Sequence, residues 1–349
     1  MRAISLVPGR PGTERLDDIP EPPLDEGEIL VETIAVGICG TDREILLGEF
    51  GSPPPGRDRL VLGHESLGRV VDAPAGGELR AGDLVVGIVR RPDPVPCEAC
   101  AVGEWDMCRN GRYTEHGIKG LDGFCRERYR TTSPSLVPVD PSVGIRGVLL
   151  EPASIVAKAW DQIDRIGARS HWTPRQGLVI GAGPIGLLAA LLGVQRGIQM
   201  HVLDRVTTGP KPELVRALGA TYHTGAVADA CAAVDVAVEC TGVGPLVFDA
   251  IRCVSASGIV CLTGVSPTGR VISVDAGGLN NELVLENNVV FGSVNANRRH
   301  YGQAADALAQ ADPHWLNRLI TRRIPLERWR EAYEPAPDDI KTILQFGSI

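Results

Sequence analysis

The stretch Gly177–Gly186, GLVIGAGPIG, decides the fold of this 349-residue chain. Leu178, Val179 and Ile180 form a short apolar run that is typical of a buried strand. The next six residues fit the pattern G-x-G-x-x-G, and the helical sequence LLAALLGVQRG follows them. A strand that turns through glycines into a helix presents unpaired N–H groups, and the positive end of the helix dipole, to a phosphate. The stretch therefore predicts a dinucleotide-binding turn.

The residues after this turn support the same interpretation. A second apolar run ends in Asp204, 18 residues after Gly186. A carboxylate near this distance accepts hydrogen bonds from the ribose hydroxyls of NAD and repels the 2′-phosphate of NADP, whereas the adjacent Arg205 offsets part of that repulsion. We therefore expect NAD to be preferred and NADP to be accepted more weakly. The cofactor-binding candidates of this region are Gly181, Gly183, Pro184, Ile185, Gly186, Asp204 and Arg205.

Charge and cysteine content exclude several classes of function. A formal net charge of −8 gives no basic surface for nucleic acid. No apolar run approaches the roughly 20 residues of a membrane span, and the N-terminus lacks the apolar core of a signal peptide. We expect a cytoplasmic protein that binds neither nucleic acid nor membranes. In a reducing compartment its nine cysteines are expected to be metal ligands, catalytic groups or buried thiols; buried thiols are the preferred interpretation for Cys231, Cys240, Cys253 and Cys261.

The length and the pattern of the chain predict two domains of the α/β class. Residues 1–152 carry short β-branched runs separated by Gly and Pro, which favours a mostly β domain. Residues 153–297 alternate short strands with helical stretches, which predicts a doubly wound parallel sheet. The segment 298–349 is first polar and helical and then ends in an apolar run at 343–346. We expect that run to be a strand that returns to the first domain.

Two turn-rich segments of the first domain contain candidate metal ligands. They are Cys39-Gly40-Thr41-Asp42 and Gly63-His64-Glu65, and Glu151 stands at the start of a predicted helix. A catalytic zinc ion takes about three protein ligands of this nitrogen, oxygen and sulfur type and keeps one position open. Taken one at a time, these residues have structural explanations, as a buried thiol, a loop histidine and surface carboxylates. As a set they indicate zinc.

A second cluster lies in a predicted lobe of about residues 93–108. Cys97, Cys100 and Cys108 supply three thiols, whereas a structural zinc site is normally closed by four ligands. Asp93 is the candidate for the fourth ligand, because Pro94 stands where regular spacing would place another cysteine. A redox Cys-x-x-Cys pair is disfavoured, since the motif does not open a helix after a strand. We expect a metal-supported loop, and its occupancy stays open.

With these motifs in this order, the chain resembles the zinc-dependent medium-chain alcohol and polyol dehydrogenases over nearly its whole length. The segments 111–118, 274–277 and 292–295 most resemble the glucose (aldose) 1-dehydrogenase branch of that family. The resemblance implies a GroES-like catalytic domain followed by a Rossmann dinucleotide-binding domain. It also implies a homo-oligomer, either a dimer or a tetramer.

The resemblance assigns roles to individual residues. Cys39 and His64 would bind a catalytic zinc directly, with Glu65 and Glu151 as further ligands, direct or through water. Asp42 would orient His64. The remaining implied roles are proton acceptance from the substrate by Thr41, substrate binding by Glu115, Glu151 and Asn295, cofactor contacts by Thr241 and Asn295, and structural zinc binding by Asp93, Cys97, Cys100 and Cys108.

The activity implied by the resemblance is hydride transfer from C1 of an aldose such as glucose to NAD(P)+, giving the lactone. One alternative is the dehydrogenation of another polyol or of a cyclitol, as in a sorbitol-like substrate. Another is a non-catalytic nucleotide-binding protein of the same fold. A panel of sugars and polyols separates the first two functions, and metal analysis tests the third.

Overall fold

The computed structural model describes residues 1–230, 233–267, 269 and 271–347. Its strands are β1 (Arg2–Leu6), β2 (Arg15–Asp18), β3 (Ile29–Gly37), β4 (Leu60–Val61), β5 (Glu65–Asp72), β6 (Leu84–Gly87), β7 (Arg90–Arg91), β8 (Thr114–His116), β9 (Gly120–Leu121), β10 (Arg128–Thr131), β11 (Leu136–Val139), β12 (Gln176–Ile180), β13 (Gln199–Leu203), β14 (Thr221–His223), β15 (Val234–Glu239), β16 (Val254–Leu262), β17 (Val289–Gly292), β18 (Ile320–Pro325) and β19 (Lys341–Gln345). Its α-helices are α1 (Gly40–Leu46), α2 (Glu98–Ala101), α3 (Leu150–Gly167), α4 (Pro184–Gln195), α5 (Pro210–Ala217), α6 (Val227–Ala230), α7 (Gly244–Arg252), α8 (Ala276–Leu285), α9 (Arg298–Gln310), α10 (Pro313–Leu319) and α11 (Arg330–Tyr333).

The chain divides into two compact units. The first comprises residues 1–154, 295–309 and the C-terminal residues from 319 onward, and the second comprises residues 155–294 and 310–318. Residues 310–318 were expected with the rest of the C-terminal segment but belong to the second unit. The reason is local packing, because Trp315 is buried and its indole N–H donates to the carbonyl oxygen of Leu214 at 2.9 Å.

The first unit is built around β3, the central strand of a seven-stranded sheet. The strand order is β11-β6-β5-β3-β19-β18, and β10 also pairs with β3. Strand β19 pairs antiparallel with β3 through Ile343 and Gly37, so the predicted return of the 343–346 strand is confirmed. The sequence did not predict β18, which begins at Ile320 directly after α10 ends at Leu319. Two smaller sheets, β2-β1-β4 and β7-β8-β9, complete the unit.

The second unit contains a six-stranded parallel sheet in the order β14-β13-β12-β15-β16-β17. The chain starts at β12, builds to one edge and then returns to build to the other, which is the doubly wound arrangement predicted from the sequence. The carboxyl ends of β12 and β15 are neighbours at the point where the direction of winding reverses. Nucleotides bind at this point in open α/β sheets.

Strand β12 and helix α4 form the interior of the second unit. Residues 177–180 of β12 are buried, and α4 is buried continuously from Gly186 to Gly193. An apolar strand followed by an apolar helix was the pattern on which the fold prediction rested. Of the cysteines predicted to be buried thiols, Cys253 and Cys261 are buried and Cys240 is half-buried, while Cys231 lies outside the described residues. No helix in the described ranges is long and apolar enough to cross a membrane.

Candidate active site

Three predicted zinc ligands come together in the first unit. The ligand atoms of Cys39, His64 and Glu65 all lie within 4.8 Å of one another, and we call this group the zinc cluster. Cys39 caps α1, where its sulfur accepts the backbone N–H of Asp42 and its own N–H donates to Asp42 Oδ2 at 2.8 Å. The helix start therefore fixes the position of the thiol and of the carboxylate beside it.

A glycine turn presents His64 to this group. Gly63 has a φ of +89°, and a side chain there would meet the sulfur of buried Cys125 at 2.5 Å. Only glycine adopts this backbone conformation without strain in so little space. The sequence Gly63-His64-Glu65 is therefore a turn that leads directly into β5, which begins at Glu65.

Asp42 lies behind His64. Its Oδ1 is 3.4 Å from Nδ1 of His64, both side chains are buried, and neither atom makes a hydrogen bond with the described residues. Burial lowers the pKa of His64, but the carboxylate of Asp42 and then the thiol of Cys39 outweigh it and raise the pKa well above its usual value. Because Asp42 faces Nδ1, Nε2 is the ring nitrogen left for a metal.

Glu65 has a partner that the sequence did not indicate. The ammonium group of Lys341 lies 2.7 and 2.6 Å from the two oxygens of Glu65, and both side chains are 2% exposed. The same ammonium donates to the carbonyl oxygen of Ile38 at 3.2 Å. Lys341 reaches this position because β19 pairs with β3.

Glu151 lies near enough to the zinc cluster to be affected by the charges of Glu65 and His64. Its carboxylate oxygens are not in the group of ligand atoms that lie within 4.8 Å of one another. It is buried in the first turn of α3. Burial, followed by the charge of Glu65, raises the pKa of Glu151 to about 8. Thr41 is half-buried in the first turn of α1, one residue before Asp42.

These residues fit a zinc ion. A thiol, an imidazole and a carboxylate within one group are the ligand types that catalytic zinc takes. Buried polar atoms normally have hydrogen-bond partners, yet Asp42 Oδ1 and His64 Nδ1 have none among the described residues. A metal on Nε2 would leave the N–H at Nδ1 to donate to Asp42, which is the usual arrangement of a metal-bound histidine.

The cysteine lobe forms a second group of thiols. The sulfur atoms of Cys97, Cys100 and Cys108 lie within 4.8 Å of one another. The backbone N–H of Arg109 donates to Cys97 at 3.4 Å and is the main cause that lowers the pKa of that thiol to about 6. Burial raises the pKa of Cys100 to about 11. A thiol that ionises easily beside two others is suited to a metal, although three sulfurs do not close a tetrahedron.

The structure does not bring Asp93 into this thiol group. Its Oδ1 accepts the backbone N–H of Val95 at 2.8 Å, and its Oδ2 accepts hydrogen bonds from Asn110 at 2.9 Å and Arg112 at 3.2 Å. These bonds join the two ends of the lobe. In this arrangement Asp93 ties the loop together, and three of the four predicted structural ligands meet.

Glu115 and Asn295 lie in contact within the first unit. Glu115 is buried on β8, and its Oε1 accepts hydrogen bonds from Asn295 at 2.8 Å and from Arg90 at 3.0 and 2.9 Å. The guanidinium of Arg90 stacks 3.6 Å above the ring of Tyr113. With Oε1 saturated, Oε2 is the acceptor left for a ligand. The sequence did not indicate that Arg90 would contact Glu115. That contact follows from the pairing of β7 with β8, in which Arg90 lies opposite Glu115.

A cavity of about 730 Å³ lies at the carboxyl ends of β12 and β15 in the second unit. A side chain at Gly186 would meet the carbonyl oxygen of Gly181 at 1.7 Å, and Gly181 itself has a φ of +101°. A side chain at Gly183 would meet nothing within 4 Å, so this glycine faces open space that a pyrophosphate can occupy. The predicted cofactor residues in the lining are Gly181, Gly183, Asp204, Arg205 and Thr241.

Asp204 is tied to the glycine turn. Its Oδ2 accepts the backbone N–H of Ala182 at 2.8 Å and the ammonium of Lys211 at 3.2 Å, and its Oδ1 accepts the N–H of Val206 at 3.1 Å. Burial raises the pKa of Asp204, but these donors outweigh it and lower the pKa below its usual value. Lys211 also lines the cavity, and the sequence analysis missed it.

Glu239 is a second residue that the sequence analysis missed. It ends β15, is fully buried, and accepts hydrogen bonds from the N–H and hydroxyl of Thr241 and from the N–H of Gly242. It therefore holds Thr241 against the cofactor cavity. The available signal was its place at the carboxyl end of a predicted strand next to the dinucleotide-binding turn.

Comparisons with known proteins match both parts of the chain. Residues 25–141 match the family described as alcohol dehydrogenase GroES-like domain, and residues 145–346 match glucose dehydrogenase C-terminus. The chain is 39% identical to glucose 1-dehydrogenase of Methanocella arvoryzae and covers 100% of both chains. It is 38% identical to glucose 1-dehydrogenase of Thermoproteus tenax and covers 99% of both.

Solved structures show the same relationship. Glucose dehydrogenase of Haloferax mediterranei, solved in complex with NADP, Zn and gluconolactone, matches this chain with a TM-score of 0.92, 33% identity and full coverage of both chains. Galactitol-1-phosphate dehydrogenase of Escherichia coli matches with a TM-score of 0.82 at 20% identity, which shows the shared fold. These matches cover the zinc cluster and the dinucleotide-binding turn alike. The chain belongs to the zinc-dependent medium-chain dehydrogenases, in the branch of the glucose 1-dehydrogenases.

Proposed function

We propose that this protein oxidises C1 of an aldose such as glucose and passes the hydride to NAD(P)+, giving the lactone. The observation that carries the proposal is the zinc cluster of Cys39, His64 and Glu65, which meets in the unit that also contains Glu115 and Asn295. The names of the glucose 1-dehydrogenase relatives, and the gluconolactone bound to the Haloferax structure, support the aldose as the substrate class.

The residues of the zinc cluster would perform distinct tasks. Cys39 and His64 would hold the metal, with Glu65 and Glu151 as further ligands, direct or through water. A zinc ion in such a site acts as a Lewis acid that lowers the pKa of a bound hydroxyl. Asp42 would keep the proton of His64 on Nδ1, so that Nε2 would retain its lone pair for the metal. Thr41 would accept the proton of the substrate hydroxyl and pass a proton on toward solvent.

Glu115 and Asn295 would hold the sugar. The hydrogen bonds from Arg90 and Asn295 fix the carboxylate of Glu115 and leave its Oε2 to accept a sugar hydroxyl. The amide of Asn295 has a second N–H for another hydroxyl. A fixed acceptor and donor favour a polyhydroxylated substrate, because an alcohol that lacks the matching hydroxyls leaves buried polar groups without partners.

The second unit would bind the cofactor, whose nicotinamide accepts the hydride. Gly181 and Gly183 leave room for the pyrophosphate, and Asp204 lies where the ribose hydroxyls of NAD are expected. Lys211 beside Asp204 adds a cation that the sequence analysis did not include. We therefore propose that NAD is preferred by a modest factor and that NADP is also used.

The decisive experiment is a cofactor-reduction assay across aldoses and polyols, before and after chelation of the metal. Aldoses are expected to reduce NAD(P)+ with the highest kcat/KM, and chelation is expected to abolish the reaction until zinc is restored. Turnover of sorbitol-like polyols or cyclitols without turnover of aldoses would assign the other substrate class. Cofactor binding with no turnover of either class would indicate a non-catalytic protein.

We also propose a homo-oligomer, either a dimer or a tetramer. No residue of α8 is buried, although its sequence includes Val284 and Leu285, which are 64% and 68% exposed. Strand β17 lies at the edge of the parallel sheet, and its apolar residues Val289, Val290 and Phe291 are only half-buried. Exposed apolar side chains beside an open sheet edge are typical of a surface that another subunit covers.

A further inference from the structure

A second cavity in the first unit is lined by arginines. It has a volume of about 210 Å³, and the charged side chains around it are Arg57, Arg91, Arg126, Arg130, Glu26 and Asp122. Two of the four cations are paired with the two carboxylates: Arg57 with Asp122, and Arg126 with Glu26 at 3.2 Å. Arg91 and Arg130 remain, so the cavity carries an excess of positive charge.

His116, which also lines this cavity, does not change the balance of charge. Its Nδ1 is 2.6 Å from the carbonyl oxygen of Asp122 and therefore donates, and its Nε2 accepts from Arg91 at 2.9 Å. Burial, followed by the charge of Arg91, holds the pKa of His116 well below its usual value, so the ring is neutral. Arg91 also donates to Ile88 and Thr131, so three neighbours fix its guanidinium in place.

Arg130 has no such neighbours. It is half-buried on β10, and its guanidinium makes no hydrogen bond or ion pair within the described residues. Its Nη1 and the Nε of Arg126 are buried nitrogen atoms without a hydrogen-bond acceptor, and Arg126 is only 3% exposed. Buried charged donors are normally paired, because an unpaired buried charge is strongly unfavourable. The site therefore lacks an acceptor rather than a donor.

We propose that this cavity binds a small multivalent oxyanion of the phosphate type between Arg130, Arg126 and Arg91. The guanidinium group presents several N–H donors in one plane, which match the oxygens of such an anion. Since a water molecule takes about 30 Å³ of liquid volume, the cavity has room for a tetrahedral anion and several waters.

The cavity lies on the opposite face of a small sheet from the proposed sugar site. Successive residues of a strand point to opposite faces, and Arg90 pairs with Glu115 while the next residues along, Arg91 and His116, meet each other at the cavity. The anion site is therefore separate from Glu115 and Asn295. None of its lining residues lines the cofactor cavity of the second unit.

Arg130→Gln is the appropriate test. Arg130 forms no ion pair within the described residues, so its removal exposes no unpaired carboxylate. The matched control is Arg128→Gln, which removes the same charge from the same strand at a side chain that is 42% exposed, pairs with Glu21 and lies outside the cavity lining. Phosphate and sulfate are titrated calorimetrically into the zinc-loaded enzyme with saturating cofactor, so that the pyrophosphate site is already filled. Sodium chloride at matched ionic strength gives the baseline.

We expect one phosphate per chain in the wild type and in Arg128→Gln, with equal Kd values. In Arg130→Gln the Kd should rise by about tenfold or more, the effect of losing one charge-assisted contact. The kcat of Arg130→Gln should match the wild type, which shows that the variant is folded. Absence of saturable binding of both anions to the wild type would overturn the proposal, and so would equal weakening in the two variants.

Discussion

Single residues in the zinc cluster differ in what holds them. Cys39 is fixed by the start of α1, His64 by the turn at Gly63, and Glu65 by Lys341. The first two are locally determined, whereas the third depends on a residue 276 positions away. We therefore expect substitutions of Cys39 and His64 to affect metal binding, and a substitution of Lys341 to affect stability.

Cys39→Ser and His64→Ala are each expected to abolish turnover with the fold retained, because zinc needs a sulfur or imidazole ligand at each position. Zinc content by elemental analysis and kcat are the measurements, with circular dichroism as the check of folding. Thr41→Val is the matched control, because Thr41 lies in the same turn and supplies no ligand atom. This variant should lose turnover but keep its zinc. Full activity in a folded, zinc-poor His64→Ala protein would contradict the proposed mechanism.

Lys341→Met is expected to lower the free energy of unfolding by about 3 to 5 kcal/mol, because it leaves the buried carboxylate of Glu65 without its cation. Urea denaturation of the zinc-free protein measures this, since no metal then compensates the charge. The double variant Lys341→Met with Glu65→Gln removes both charges and should recover most of the loss. A single variant as stable as the wild type would show that the ion pair contributes nothing.

We expect the cofactor preference to depend on Asp204 and Lys211. Asp204→Asn should shift the ratio of kcat/KM values toward NADP, because it removes the repulsion while it keeps an acceptor for the N–H of Ala182. Lys211→Gln should shift the ratio in the opposite direction, by up to about tenfold, if its ammonium binds the 2′-phosphate. Steady-state kinetics with both cofactors test this. A wild-type enzyme that favours NADP would show that the cations, and not Asp204, govern the site.

Among the elements, the cysteine lobe shows how a short segment without a large core is held together. Its helix α2 has four residues, and Cys100 is the buried one among them. Thiols on one side and the hydrogen bonds of Asp93 on the other therefore provide most of its order. Neither feature contacts the zinc cluster, so we expect the lobe to affect stability more than chemistry.

Cys108→Ala and Asp93→Ala should each lower the Tm more than they lower kcat. For Asp93→Ala the loss of two or three hydrogen bonds corresponds to about 5 °C in a domain of this size. Zinc per chain distinguishes the two variants: Cys108→Ala should lose the lobe metal, and Asp93→Ala should retain it. If the wild type holds one zinc per chain and Asp93→Ala does not change the Tm, the lobe neither binds a metal nor contributes to stability.

For the whole molecule, assembly is expected to follow from the exposed apolar residues of α8. The wild type should have two or four times the chain mass of 37.1 kDa in sedimentation equilibrium. Val284→Asp should shift it toward the monomer, because a buried charge at an interface is unfavourable. Val102→Asp, at a valine that is 73% exposed in the first unit, is the control and should not change the mass. A monomeric wild type would contradict the proposed oligomer.

The sequence alone determined the fold class, the dinucleotide-binding turn and the segments that carry the candidate zinc ligands. These features are local: strand and helix periodicity, and glycines such as Gly181 and Gly186 whose backbone or packing excludes a side chain, are readable within a few residues. The predicted strand at Leu178–Ile180 and the helix after Gly186 agree with β12 and α4 for the same reason.

Only the tertiary structure decided which distant side chains meet. Lys341 reaches Glu65 because β19 pairs with β3, and Asn295 meets Glu115 across 180 residues. The arginines of the second cavity converge from two strands, β7 and β10, and from two loops. Asp93 was placed with the thiols by spacing alone, whereas in the structure hydrogen bonds direct its carboxylate to Asn110 and Arg112. Strand pairing between remote segments depends on the burial of whole faces, and no local pattern of residues encodes it.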